Sequence, residues 1–186
     1  MPVIQNGTVI ETILNKAFVF DLGAPTVEDD QVDDIHAAVT LTDQAQTKTT
    51  GITQPDVCRV VAVKGSAAGH TQKVTINGTN YHGEAISEDI TLTGTSTAYG
   101  SKAFKTITSI VYPAYASGGT VVVGRGKALG LPFAFSSSNK IVAATLGKAA
   151  ATPTVVTNET DVAKNTVDLS AGNYDGTKRA VVIAYM

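Results

Sequence analysis

Between Val74 and Thr97 the chain reads VTINGTNYHGEAISEDITLTGTST, with apolar and polar residues alternating on both sides of a polar, glycine-bearing turn. A side-chain period of two lays each half out as a β-strand with one face for a core and one for solvent. On the first strand Val74 and Ile76 face one way and Thr75 and Asn77 the other. On the second, Ile86, Glu88, Ile90 and Leu92 share a face opposed by Ser87, Asp89, Thr91 and Thr93. Nothing in the segment is demanded by chemistry, so it reads as scaffold, and the rest of the chain has to complete its sheet.

The composition agrees. Threonine occurs 26 times and glycine 17 times, alongside many valines and alanines, which favours pleated strands and tight turns over helices. At 186 residues the chain is long enough to bury roughly 70% of its unfolded surface without crosslinks. The lone Cys58 has no partner for an internal disulfide and sits among Val57, Val60 and Val61, so a buried strand position is expected. No Cys/His spacing resembles a zinc site. A net charge of -2, with 16% charged residues, gives no electrostatic footprint for nucleic acid. The start, MPVIQNGTVIETIL, lacks a basic segment followed by an apolar one, and no apolar run reaches the roughly 18 residues that span a bilayer. Synthesis in the cytoplasm, with no membrane partner, is the expectation.

Residues 1–54 read as an extended amino-terminal arm and residues 55–186 as a β-rich core domain. In the arm, Ala17 to Phe20 forms one short strand and Ile35 to Leu41 a second apolar run, while Thr42 to Thr53 has the composition of a linker. Beyond Pro55 strands are expected at Val57 to Lys64, Lys73 to Asn77, Ala85 to Thr93, Lys105 to Tyr112, Thr120 to Val123, Lys140 to Thr145, Thr154 to Thr157, Thr166 to Leu169 and Ala180 to Tyr185. Turns are expected at Gly65 to Gly69, Asn77-Gly78, His82-Gly83, Tyr99-Gly100, Ser117 to Gly119 and Asn173 to Gly176. The pattern predicts an all-β fold, a sandwich or small barrel of short antiparallel strands carrying an extended amino-terminal arm. Removing the last strand would expose a sheet edge.

Candidate chemistry is sparse. The acidic cluster Glu28, Asp29, Asp30, Asp33 and Asp34 offers hard oxygen ligands but lacks the ordered spacing of a calcium loop, and a solvated loop is the better reading. Gly124 to Gly130 superficially resembles a phosphate loop, yet lacks the Gly-Lys-Ser/Thr ending and leads into Leu131-Pro132, so a turn is expected. His36, His70 and His82 are far apart in sequence, the last two in polar turns, and no G-x-S-x-G elbow occurs. Tyr81, Tyr99, Tyr112, Tyr115 and Tyr174 lie at or near turns, where a carbohydrate-binding module would place them or where a core needs a lid with a wet hydroxyl. The absence of tryptophan weakens the sugar reading. No catalytic, cofactor-binding or metal-ligating residue is assigned, and a non-enzymatic protein is expected.

Several strings together carry a family likeness. Pro55-Asp56-Val57, Val74 to Asn80, Gly83 to Glu88, Ile90 to Thr95, Lys102 to Ile107, Leu129 to Pro132, Asn165 to Gly172 and Tyr174 to Thr177 span most of the chain. The chain resembles small virion structural proteins of tailed bacteriophages and prophages. That resemblance implies a structural role in the particle, as a decoration or cement protein on the capsid surface whose partner is the major capsid protein. It also implies a homo-oligomer, with a trimer fitting a threefold position of a shell. A tail-tube or tail-tip component and a carbohydrate- or host-recognition β-module are the alternatives.

Overall fold

A computed structural model describes residues 3–5, 8–10, 17–22, 32–170 and 174–185, the first two stretches as backbone. The fold is all-β, as the alternation predicts. A small hairpin joins β1 (Val3–Gln5) to β2 (Thr8–Ile10). A four-stranded sheet runs β5 (Gln46–Lys48), β10 (Thr106–Tyr112), β7 (Lys73–Thr79) and β8 (Ala85–Thr91). A six-stranded sheet runs β14 (Thr154–Val156), β15 (Thr166–Asp168), β11 (Thr120–Gly130), β6 (Arg59–Gly65) and β9 (Thr97–Phe104), with β4 (His36–Thr40) also on β11. A third sheet runs β13 (Ala149–Ala150), β12 (Ile141–Leu146), β16 (Ala180–Tyr185) and β3 (Ala17–Asp21). All pairings between these strands are antiparallel.

Two hydrophobic cores share the central strand. The first lies between the β5–β10–β7–β8 sheet and the amino-terminal half of β11, and includes Ile35, Leu41, Val61, Val63, Val74, Ile76, Leu92, Phe104 and Ile110. The second gathers Leu129, Leu131, Phe135, Val167, Leu169 and Tyr174 under Ala180, Val182 and Ala184 of β16. The predicted faces appear as expected: Val74, Ile76, Ile90 and Leu92 are buried, while Ser87, Asp89, Thr91 and Thr93 are exposed.

Three of the expected turns and the expected linker need correction. Asn77-Gly78 lies inside β7, where a side chain at position 78 would run into the Thr106 carbonyl and the Phe104 ring. That close approach occurs because the chain changes sheets across the single residue Lys105 between β9 and β10, so this glycine serves packing rather than a turn. Tyr99-Gly100 lies inside β9, where an added Cβ would meet the Glu88 carboxylate and Ile90. Gly124 to Gly130 continues β11 as strand, in the stretch where its register against β6 shifts between Arg125 and Leu129.

The fourth correction concerns Thr42 to Thr53. Its composition suits a linker, yet β5 pairs with Ile110 to Tyr112, and Ile52 packs on the first core. Just beyond, the Gln54 amide clasps the backbone of Ile107, accepting from its N–H at 2.7 Å and donating to its carbonyl at 3.0 Å. Polar side chains here satisfy backbone groups at a sheet margin, which composition alone cannot distinguish from solvation.

Candidate functional site

Buried charge is the feature that alternation least anticipates. Arg59 begins β6, fully buried, where the bulge in β11 turns the Gly126 carbonyl towards it. Its Nε donates to that carbonyl at 2.7 Å, and its Nη1 donates to the Asp56 carboxylate at 3.0 and 3.2 Å. The guanidinium carbon stands 5.7 Å from the centre of the Tyr174 ring. Asp56 is shared with Arg125, whose Nη1 is 3.8 Å away. Arg125 also pairs with Asp34, which accepts from the Arg125 backbone N–H at 3.0 Å and from its Nε. Asp34, Arg125, Asp56 and Arg59 thus form an alternating chain of charge where β11 passes from one core to the other. Each charge faces an opposite one, so the cluster locks the junction and presents no free acid or base.

The acidic stretch is therefore split. Asp34 is committed to Arg125, while Glu28, Asp29 and Asp30 lie outside the described residues. Among the described residues no group of three or more His, Cys, Asp or Glu side chains is placed to hold a metal ion.

The histidines have three separate settings. His82 is exposed, as a turn residue should be, with Nε2 2.6 Å from the Pro132 carbonyl. His36, on β4, has Nδ1 3.1 Å from the Tyr112 hydroxyl. His70 corrects the reading as a polar-turn residue, because it is completely buried. Its N–H donates to Ala67 O at 3.1 Å, its carbonyl accepts from Gly94 at 2.8 Å, and its Nε2 lies 3.1 Å from Gly118 O. The Tyr115 ring meets it edge-on at 4.9 Å. Glycines at 65 and 119 make room, since a Cβ at either would fall within 2.7 Å of the imidazole. One residue, through its backbone and its imidazole together, thereby ties together the loops that follow β6, β8 and β10. Spacing could not reveal this, because Gly94 and Gly118, which carry the ties to the other two loops, are distant in sequence.

The tyrosines divide likewise. Tyr112 and Tyr174 are buried, one in each core. Burial raises the Tyr112 phenol well above its ordinary range, and the Tyr174 hydroxyl accepts from the Leu169 N–H at 2.8 Å. Tyr115 covers His70, and Tyr81 lies under Lys105, whose Nζ is 5.6 Å from the ring centre. Tyr99 stays 45% exposed and lines a shallow cleft with Val60, Gly100, Lys127, Ala128 and Asp168. Cys58 is buried as expected, though in the bend just before β6 and not at a strand position, and desolvation, opposed by Lys105, pushes its thiol up to about 12.

What stays open is strand edge and apolar surface. The three large sheets end on β5 and β8, on β14 and β9, and on β13 and β3. The β8 edge is closed against β9 by Glu88, whose carboxylate accepts from Ser101 N at 2.6 Å, Ser101 Oγ at 2.7 Å and Lys102 N at 3.1 Å. Val19 on β3 is 67% exposed and Val156 on β14 is 55% exposed. Comparison of the chain with protein-family models, with curated proteins and with solved structures gives no match.

Proposed function

We propose that the protein is a non-enzymatic structural component of a phage particle, a decoration or cement protein that binds the assembled capsid shell. The observation that carries this reading is the pairing of a twin-cored β body with open sheet edges bearing exposed apolar side chains, Val19 and Val156 among them. Such edges can add to a neighbour's sheet through backbone hydrogen bonds. The polar clusters, by contrast, are consumed in holding the body rigid. A protein that binds the assembled lattice and not its free subunits stabilises the lattice by mass action, and the effect repeats at every site. The likeness to small virion proteins points the same way, with the major capsid protein as partner and the capsid surface as location.

The test is co-sedimentation of the purified protein with phage heads stripped of it, with intact tails as control. Saturable binding to heads alone is the expected result. Binding to tails, or assembly into rings or tubes without a shell, would replace this reading with a tail component. The Tyr99 cleft favours a second reading, a glycan-binding module for host recognition, because an exposed ring beside Lys127 and Asp168 suits a sugar's apolar face and hydroxyls. Glycan-array binding abolished by Tyr99→Ala would establish it.

A further inference from the structure

The edge at β3 differs from the others in composition and in what is attached to it. β3 pairs with β16 along all five of its residues, Ala17 to Asp21, and stands last in its sheet. Natural edges are usually protected by lysine, proline, a bulge or brevity. β3 has none of these: its sequence is AFVFD, and its one charge, Asp21, pairs with Arg179. The register places Val19 beside Ile183, and Ile183 beside Ala143, on the face turned away from the second core. An apolar strip therefore crosses three strands and runs out at an edge that no other strand pairs with among the described residues.

The segment that precedes β3 supplies a matching element. β1 and β2 pair with each other over three residues apiece and form a sheet of their own, joined to none of the other three among the described residues. A two-stranded hairpin of that size is marginal in water without a surface to pack on. Its strands read VIQ and TVI, without a charge. Residues 11–16 connect it to Ala17, and six residues reach at most about 20 Å. The hairpin therefore departs from the body at the β3 edge itself.

We propose that the amino-terminal hairpin of one copy adds to the β3 edge of a second copy, and that the second returns its own hairpin to the first. Each arm leaves the body beside the edge where the other copy's arm must dock, so the exchange closes on itself as an isologous contact. Backbone hydrogen bonds supply the pairing, and the sequence of neither strand of the hairpin brings a charge to the edge. The inference deepens the structural role proposed above by assigning one of its edges to self-association, and it rests on that reading only for the purpose of the oligomer.

Sedimentation velocity of the full chain over a wide concentration range reads the association. A reversible oligomer is expected, and Val19→Lys, a change at an exposed position, is expected to shift its dissociation at least tenfold towards monomer with unchanged circular dichroism. Mixing Ile10→Cys protein with Val19→Cys protein under mild oxidation is expected to give a covalent dimer, with the buried Cys58 silent. A full chain that stays monomeric, an oligomer indifferent to Val19→Lys, or a doubly substituted chain that closes its disulfide internally would each overturn the inference. Head binding separates the two claims. A monomer that still saturates stripped heads removes arm exchange and leaves the decoration role, whereas an exchanged oligomer that ignores heads does the reverse.

Discussion

Arg59 has no exposed surface, and Asp56 faces both it and Arg125. Removing the shared carboxylate strands a buried guanidinium, a class of change that costs about 3–5 kcal/mol. Asp56→Ala is therefore expected to lower stability by about that much, measured by urea denaturation, far beyond what an exposed aspartate would do. The sequence offered no hint, because a single cation between Cys58 and Val60 reads as an outward strand position; the bulge in β11 buries it. The burial of Cys58 was legible from its valine neighbours, although the residue sits in the bend just before β6 and not at a strand position. Its thiol ionises at about 12 when folded, against 9.0 for the unperturbed group. The stabilisation from keeping it neutral is whole below about pH 9 and is lost as pH climbs from there towards 12. At pH 8 a thiol reagent is expected to modify the native protein much more slowly than the denatured chain, because the folded thiol is both buried and neutral.

Among elements, period-two alternation located most strands to within a few residues, because a half-buried strand writes its two faces directly into the sequence. It failed where glycine serves a close approach instead of a turn, at Gly78 in β7 and Gly100 in β9. Those neighbours, the Thr106 carbonyl and the Glu88 carboxylate, arrive only when two sheets meet. Glu88 shows both sides. Its place on the apolar face of β8 was readable, but its task, joining β8 to β9 with one carboxylate in place of a backbone ladder, depends on a strand read as a turn. Glu88→Ala is expected to cost about 1.5–3 kcal/mol, as befits hydrogen bonds to a charged group. Hydrogen exchange checks it: the amides of Ser101 and Lys102 should lose protection while those of Val61 and Val63 keep theirs.

Across the whole molecule the two cores are closed by strands far apart in the chain, β3 with β16 and β4 with β11. The carboxy-terminal strand, whose removal was expected to expose a sheet edge, lies between β12 and β3, so its loss would uncover an edge on each. Deleting residues 180–186 removes Ala180, Val182 and Ala184 from the second core and leaves β3 without its ladder. The expected outcome is loss of exchange protection at Val167 and Leu169 while Val74 and Ile76 retain theirs. By itself the sequence determined the class of fold, the inward faces of most strands and the burial of Cys58, because side-chain period and local composition are properties of neighbouring residues. Only the tertiary structure decided that part of the supposed arm belongs to the sheets, that His70 is a buried tie among three loops, and that Asp34, Arg125, Asp56 and Arg59 form one charged junction. Each of these is made by residues many positions apart, whose meeting is set by strand order and register, and no local pattern records either.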